Sequence, residues 1–252
     1  MGKTIAVANQ KGGVGKTTTT RNVAAALVER GKKLFLIDFD PQGALTISLG
    51  VNSSKLTKTI YDALINSSTP LDQVILSPKT GIDLAPANID LSGAEVDLLN
   101  EIGRERILKE IIEPVQGRYD YIFIDCPPSL GLLTINALTA ANGVFIPVQC
   151  QYLAFRGMQS LLRTIEKVRS RSNPQLRILG LLPTLFDART THSKEVLEEL
   201  RVTYRKTLID IPIRYRVGLA DAMVNGQSIL DLDNRSDIAN IFREIAEVID
   251  HD

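Results

Sequence analysis

The sequence predicts an α/β fold, a doubly wound and mainly parallel sheet flanked by helices. Short runs rich in Val, Ile and Leu alternate with longer stretches of helical periodicity along the whole chain. Several of the short runs, such as LFLID and YIFID, are apolar at successive positions, as in strands covered on both faces. The 252 residues contain no internal repeat, low-complexity tract or linker-like break, so a single domain over residues 1–252 is expected.

Taken in order, the first strand is expected over Thr4–Asn9, where TIAVAN runs into a glycine-rich turn. A helix follows from Thr17 to Arg30, and a second strand over Lys33–Asp38 ends on two aspartates. The spacing then predicts a helix over Thr59–Ile65 and a strand over Ile82–Pro86. A helix over Arg104–Glu113 leads into the strand Tyr121–Asp125, whose Asp-Cys-Pro-Pro sequence reads as a turn. The helix Leu130–Ala141 and the strand Gly143–Val148 come next. Beyond them lie the helix Phe155–Ser170, the strand Ile178–Thr184, the helix Lys194–Tyr204 and a seventh strand over Thr207–Ile211. The last helix, Ser236–Asp250, carries Ile238, Ile241, Phe242, Ile245 and Ile249 along one stripe, a face suited to covering the sheet. In sheets of this kind ligands bind beyond the carboxyl ends of the strands.

With 44% hydrophobic and 23% charged residues, the composition is that of an ordinary soluble protein. The two cysteines, Cys126 and Cys150, are far apart and offer no disulfide framework or zinc pattern, which suits a reducing cytosol. They read as small packed residues. The N-terminus enters at once into a strand pattern, so no signal peptide is expected, and no apolar run is long enough to span a bilayer. The net charge of zero is unevenly spread: −1 over residues 1–150, +7 over 151–218 and −6 over 219–252. The central excess is a candidate surface for a polyanion.

The stretch NQKGGVGKTT (Asn9–Thr18) sits between strand and helix, the context of a phosphate loop. Gly12, Gly13 and Gly15 permit the backbone to wrap phosphate oxygens, with Val14 between them and Thr18 just beyond. The start of the next helix adds its positive end. Lys16 is placed to reach the β- and γ-phosphates, and the Thr17 hydroxyl to ligate Mg²⁺. Where the usual pattern has a first glycine this loop has Gln10, followed by a second lysine, Lys11. With Lys16 already present, Lys11 is redundant within one subunit. Projecting outward, it would reach a nucleotide held by a second subunit and stabilise the transferring phosphoryl group, as an arginine finger does. Gly12 would then also leave room for the facing chain.

Asp38 and Asp40 close LFLIDFD on one face of the strand, beside the loop if the two strands are neighbours. Asp125 ends YIFID, the arrangement of a Walker B aspartate making a water-mediated magnesium contact.

These motifs resemble those of a known family. KGGVGKTT is similar to the deviant Walker motif of the ParA/MinD ATPases, with Lys11 at the signature-lysine position. LIDFDPQG (Leu36–Gly43), YDYIFIDCPPSLGLLTINAL (Tyr119–Leu138), PVQCQYLAFRG (Pro147–Gly157) and LFDART (Leu185–Thr190) resemble ParA/Soj-type partition ATPases in the same order. The resemblance runs through about residue 216 and implies the P-loop NTPase fold, with ATP and Mg²⁺ as cofactors. It implies that Asp40 orients the attacking water, and that Asp38 holds either Mg²⁺ waters or the loop itself. The nitrogenase iron proteins, a related family, hold a cluster with paired cysteines, and no suitable pair occurs here.

The resemblance also implies a homodimer closed on two ATP that binds nonspecific DNA through arginines, Arg189 and Arg216 matching best, with Arg214 beside them. Arg156, Arg163, Lys167, Arg169, Arg171, Arg201, Arg205 and Lys206 share the basic segment, and no helix-turn-helix or zinc motif accompanies them. A ParB-like adaptor that stimulates slow hydrolysis is implied, in a cytoplasmic, nucleoid-associated protein that moves a plasmid or chromosome origin. The same cycle could position a protein cargo, such as carboxysomes or chemoreceptor clusters. Two further alternatives are an ATP-dependent metabolic ligase and a MinD-like membrane-associated regulator. The acidic polar face of the last helix disfavours anionic lipid, and so a membrane. After residue 216 the Soj-type EAPSHGKPI segment is replaced by LADAMVNGQSI (Leu219–Ile229), which bears on the cargo more than on the chemistry.

Overall fold

The computed structural model describes residues 2–151 and 154–251, without the side chains of 154–156. Six strands, β1 (Lys3–Val7), β2 (Leu34–Asp38), β3 (Asp83–Ala85), β4 (Tyr121–Asp125), β5 (Gly143–Gln149) and β6 (Arg177–Thr184), lie in the order β3-β2-β4-β1-β5-β6. Every pairing is parallel. The helices are α1 (Lys16–Glu29), α2 (Ala44–Ser48), α3 (Ile60–Ile65), α4 (Ala94–Asp97), α5 (Ile107–Gln116) and α6 (Leu132–Ala140). Beyond β5 come α7 (Ala154–Arg171), α8 (Thr191–Thr203), α9 (Val217–Val224), α10 (Ile229–Leu232) and α11 (Asp237–His251).

Alternation along each strand divides the core. Ile5, Val7, Leu34, Leu36, Tyr121 and Phe123 turn to one face, where α1 and α11 supply Val23, Leu27, Ile238, Phe242, Ile245 and Ile249. Ala6, Phe35, Ile37, Ile122, Ile124, Val144 and Ile146 turn to the other, under residues of α3, α5, α6, α7 and α8. Both faces are covered, which is why these strands are apolar without interruption. The α11 stripe covers the sheet as its pattern predicts, with Ile241 half-buried at its margin.

The expected seventh strand, Thr207–Ile211, is a correction. Leu181 N donates to Thr207 O and Ile209 N to Leu181 O, giving a single bridge beside β6. Pro212 has no N–H to extend the ladder, and the chain next bonds at Ile213 N to Pro183 O. Short α2, α4, α9 and α10 are too brief for periodicity to reveal.

From β1 the chain crosses to β2 on one side, and from β4 it crosses back over β1 to β5 on the other. The reversal opens a crevice at the carboxyl ends of β1 and β4, into which the glycine-rich loop and Asp125 both emerge.

Candidate functional site

β1 delivers the loop. Gly13 and Gly15 adopt positive φ of 69° and 85°, the left-handed region that side chains avoid. Gly15 is the N-cap of α1, with no side-chain cap there and no acid in the first turn. The first N–H groups of a fourteen-residue helix are thus left for an anion. Two side chains outside the motif hold the loop's shape. Asn9 Nδ2 donates to Pro147 O at 2.7 Å while its Oδ1 accepts from Lys11 N at 3.0 Å. From β6, Thr184 Oγ1 donates to Val14 O at 2.8 Å. Neither residue was singled out from sequence, because each acts through a partner distant in the chain.

Lys16 is buried in the loop, its Nζ 3.4 Å from Lys11 O. Thr17 and Thr18 are half-buried at the start of α1. Lys11 does not project outward as expected. Its Nζ donates to Gln149 Oε1 at 2.7 Å and to Gln151 Oε1 at 3.4 Å, folding the side chain onto the end of β5. The reason is local: two amide oxygens at the strand end satisfy an ammonium that would otherwise have only water. At Gly12 a Cβ would meet nothing nearer than Pro128 Cβ at 3.8 Å, so this chain alone does not require glycine there.

The carboxylates of β2 and β4 lie side by side, Asp38 in register with Asp125, and both are fully buried. Asp38 accepts from Thr46 N and Thr46 Oγ1, each at 2.7 Å, and from Asp40 N at 3.3 Å. Both its oxygens therefore tie down the 40–46 loop. Burial pushes its pKa up to about 6 against these donors. Asp125 has fewer partners. Thr20 Oγ1 lies 3.5 Å from Oδ1, and Oδ2 finds no partner among the described residues. Burial and then the charge of Asp38 push Asp125 up to about 8, against a Thr17 hydrogen bond and the Lys16 charge. A buried carboxylate raised in this way, with Lys16 as the opposing cation, is short of positive charge.

Asp40 is half-buried, its Oδ1 accepting from Gln42 N at 3.0 Å, and with Pro41 and Gln42 it borders a cleft of about 300 Å³ that also meets Pro127 and Pro128. Cys126 and Cys150 are buried and free, and burial raises both thiols, Cys150 to about 11, so both are packed residues as read from sequence. Among the described residues no group of three His, Cys, Asp or Glu could hold a metal.

The arginine loops meet at the same end of the sheet. Leu185, with φ of 52°, turns the chain sharply after β6, and a bridge from Phe186 to Arg214 sets the two loops side by side. Arg189 is exposed and paired with Asp187 at 2.8 Å. Arg216 and Arg214 share Asp237 at 2.7 and 3.7 Å. Arg201 pairs with Glu198 and Asp210, and Arg169 with Glu166. The side chain of Arg156 lies outside the described residues. No helix is long and apolar enough to cross a membrane among the described residues.

A glycine loop running from a central parallel strand into an uncapped helix, with a lysine inside it and a buried aspartate on the neighbouring strand, defines a P-loop nucleotide-binding protein. Comparison with known proteins carries this further. A family model described as an AAA domain matches residues 2–178. The sporulation initiation inhibitor protein Soj of Bacillus subtilis is 44% identical over 249 residues, covering 99% of this chain and 98% of Soj. The chromosome partitioning protein ParA of Myxococcus xanthus is 42% identical over 237 residues, 94% of this chain and 83% of that protein. The chain belongs to the ParA/Soj family of P-loop ATPases. Among solved structures, cobyrinic acid a,c-diamide synthase from Mycobacterium smegmatis with bound ADP and magnesium is 43% identical, with a TM-score of 0.87 over 98% of this chain and 93% of that one. Apo McdA of Cyanothece shares the fold, with a TM-score of 0.89 at 24% identity over 99% of this chain and all of that one. The match to Soj continues past residue 216 to nearly the whole chain, further than the motifs alone carry it.

Proposed function

We propose that this chain is a single-domain partition ATPase that hydrolyses ATP with Mg²⁺ as a face-to-face dimer, binds nonspecific nucleoid DNA in that state, and is released when an adaptor of the ParB kind stimulates hydrolysis. The observation that carries the reading is the pair of lysines in one loop. Lys16 is buried inside the glycine loop, and Lys11 is parked on Gln149 and Gln151 at the end of β5. Gly12 supports it, since nothing in this chain forbids a side chain there, whereas a facing subunit would.

The residues fit a magnesium ion. The Thr17 hydroxyl and the unpartnered Asp125 Oδ2 are hard oxygen donors, and a cation would stabilise the charge that burial opposes. Few protein ligands suit Mg²⁺, which keeps waters and phosphate oxygens in its shell. When bound, the ion neutralises negative charge on the β- and γ-oxygens. Asp38, with both oxygens engaged by Thr46 and Asp40, holds the loop. Asp40, on the border of the cleft, orients the attacking water. Hydrolysis is slow while that geometry is incomplete and speeds when a partner completes it.

The test is DNA retention with ADP, ATP and a slowly hydrolysed analogue over a range of salt. The reading expects binding with the triphosphates alone, falling steeply with salt. Equal retention with ADP would overturn it. A second reading has one specific observation behind it: a relative at 43% identity bears the name of an amide-forming synthase. That reading expects ATP turnover coupled to a small carboxylic acid and indifferent to DNA. The same cycle with a protein cargo differs only in the adaptor.

A further inference from the structure

We propose that the ridge formed by residues 88–102 is a docking surface for a basic amphipathic segment of a partner protein, placed to act on the Asp40 loop. The chain here runs through a 3-10 turn (Ile89–Gly93) and α4. Leu91, Ala94 and Leu98 point inward and are buried, which anchors the ridge. Its outward side is apolar as well: Ile89, Val96, Leu99 and Ile102 are 64%, 73%, 59% and 101% exposed. Val96, Leu99 and Ile102 recur at intervals of three, and Leu99 N donates to Val96 O, so one turn brings Val96 and Leu99 together, with Ile102 following on the same exposed stretch. Apolar residues scattered singly over a surface mean little, but a row of them on one ridge marks an interaction site.

Charge identifies the occupant. Asp90, Glu95, Asp97 and Glu101 are exposed along the same ridge, and residues 88–102 contain no Lys or Arg. Their partners are neutral: Asp97 accepts from Tyr61 Oη at 2.8 Å, Asp90 from Asn88 Nδ2 at 2.8 Å and Glu95 from Leu133 N at 3.4 Å. The nearby Arg104 guanidinium donates to Leu99 O. An apolar row rimmed by uncompensated carboxylates complements a helix with an aliphatic stripe and Lys or Arg beside it, and repels nucleic acid and anionic lipid.

The ridge is tied to the catalytic end. Ala87 N donates to Thr46 Oγ1 at 3.0 Å, and the same hydroxyl donates to Asp38. Gly43, with φ of 63°, lies so close that a Cβ there would sit 3.0 Å from Ala87 O. Ser92 and Glu95 share the cleft with Asp40, Pro41 and Gln42. A segment seated on the ridge therefore bears on the loop that positions Asp40. This consequence rests on the ATPase reading above, whereas the binding itself does not.

The experiment uses the full chain and two designed helical peptides of about 18 residues with one aliphatic stripe, rimmed by Lys and Arg in one and by Glu in the other. Binding is read by calorimetry and ATP turnover in parallel. The basic peptide should bind and change turnover, and the acidic peptide should do neither. Val96→Ser with Ile102→Ser, and separately Asp90→Lys with Glu101→Lys, should each weaken binding by about tenfold at unchanged basal turnover and melting temperature. Equal binding to wild type and both variants, or no binding at all, overturns the proposal. So does a nucleotide-free dimer that the apolar variant dissolves, since the ridge would then belong to a second copy. Peptide binding lost in the variants of a chain that shows no ATP turnover would support the docking surface and sink the ATPase reading alone.

Discussion

Lys11 illustrates how a residue's chemistry can be legible while its position is not. Its hydrogen bonds to Gln149 and Gln151 must be exchanged before it can reach a facing subunit. Both acceptors are neutral amides near the surface, and a triphosphate, with formal negative charge, is the stronger acceptor for an ammonium. Lys11→Ala should keep ATP binding and lose hydrolysis or stable dimers; unchanged turnover in a phosphate-release assay would count against a role across the interface. Asp40→Ala should leave an ATP-loaded dimer that persists on size exclusion, and normal hydrolysis by that variant removes the water-orienting assignment. Thr46 carries a different weight. Its hydroxyl donates to buried Asp38 and accepts from Ala87 N, so Thr46→Val leaves Ala87 N without its acceptor and takes one of three donors from Asp38. A loss of about 1–3 kcal/mol in urea unfolding is expected.

At the scale of elements, α1 ties the phosphate loop to the carboxyl-terminal third of the chain. Asn22 Oδ1 accepts from Ile229 N at 2.7 Å, and buried Arg21 donates to Ser48 O at 3.3 Å and reaches Asp231 at 3.4 Å. Burial lowers the Arg21 pKa, with Asp231 opposing that effect. The LADAMVNGQSI segment, where the motif resemblance fades, is therefore docked on the loop's own helix. On the same face, α11 is held at its end by Asp250, which pairs with Lys32 at 2.7 Å and Arg30 at 3.2 Å and accepts from Tyr121 Oη at 3.0 Å. Lys32 foremost pulls the Asp250 pKa down to about 2. A carboxyl whose folded pKa lies below its unfolded value, near 3.9, binds fewer protons when folded. Its contribution is complete above the unfolded value and disappears as pH falls through about 2. Asp250→Asn should therefore lower the melting temperature at pH 7 and converge on wild type near pH 2, as read by circular dichroism. Phe242→Ala, in the fully buried stripe of the same helix, should cost about 3–5 kcal/mol.

Over the whole molecule, the fold gathers at one end of the sheet what the chain spreads across two hundred residues. The phosphate loop, the paired aspartates and the Arg189 loop lie at strand ends, and the Phe186–Arg214 bridge brings the Arg214–Arg216 loop beside the Arg189 loop. Each of those arginines is held by a carboxylate near the surface, half-buried Asp187 or exposed Asp237, a contact worth little in water and open to exchange for phosphate. Arg189→Glu should abolish DNA retention while sparing the dimer, and Arg216→Ala should lower the salt slope of binding by about 0.9. Undiminished binding by both variants would place the DNA surface elsewhere. What the sequence determined by itself was local: apolar runs long enough to be buried strands, glycines where the loop needs positive φ, and carboxylates at strand ends. Those features depend on near neighbours, so their spacing exposes them. The roles of Asn9, Thr184, Thr46 and Gln149, the truncation of the seventh strand, and the outward apolar residues of the 88–102 ridge were decided only when the chain closed. Each depends on a partner dozens to more than a hundred residues away, or on which side of a short turn is left uncovered, and no periodicity in one dimension records either.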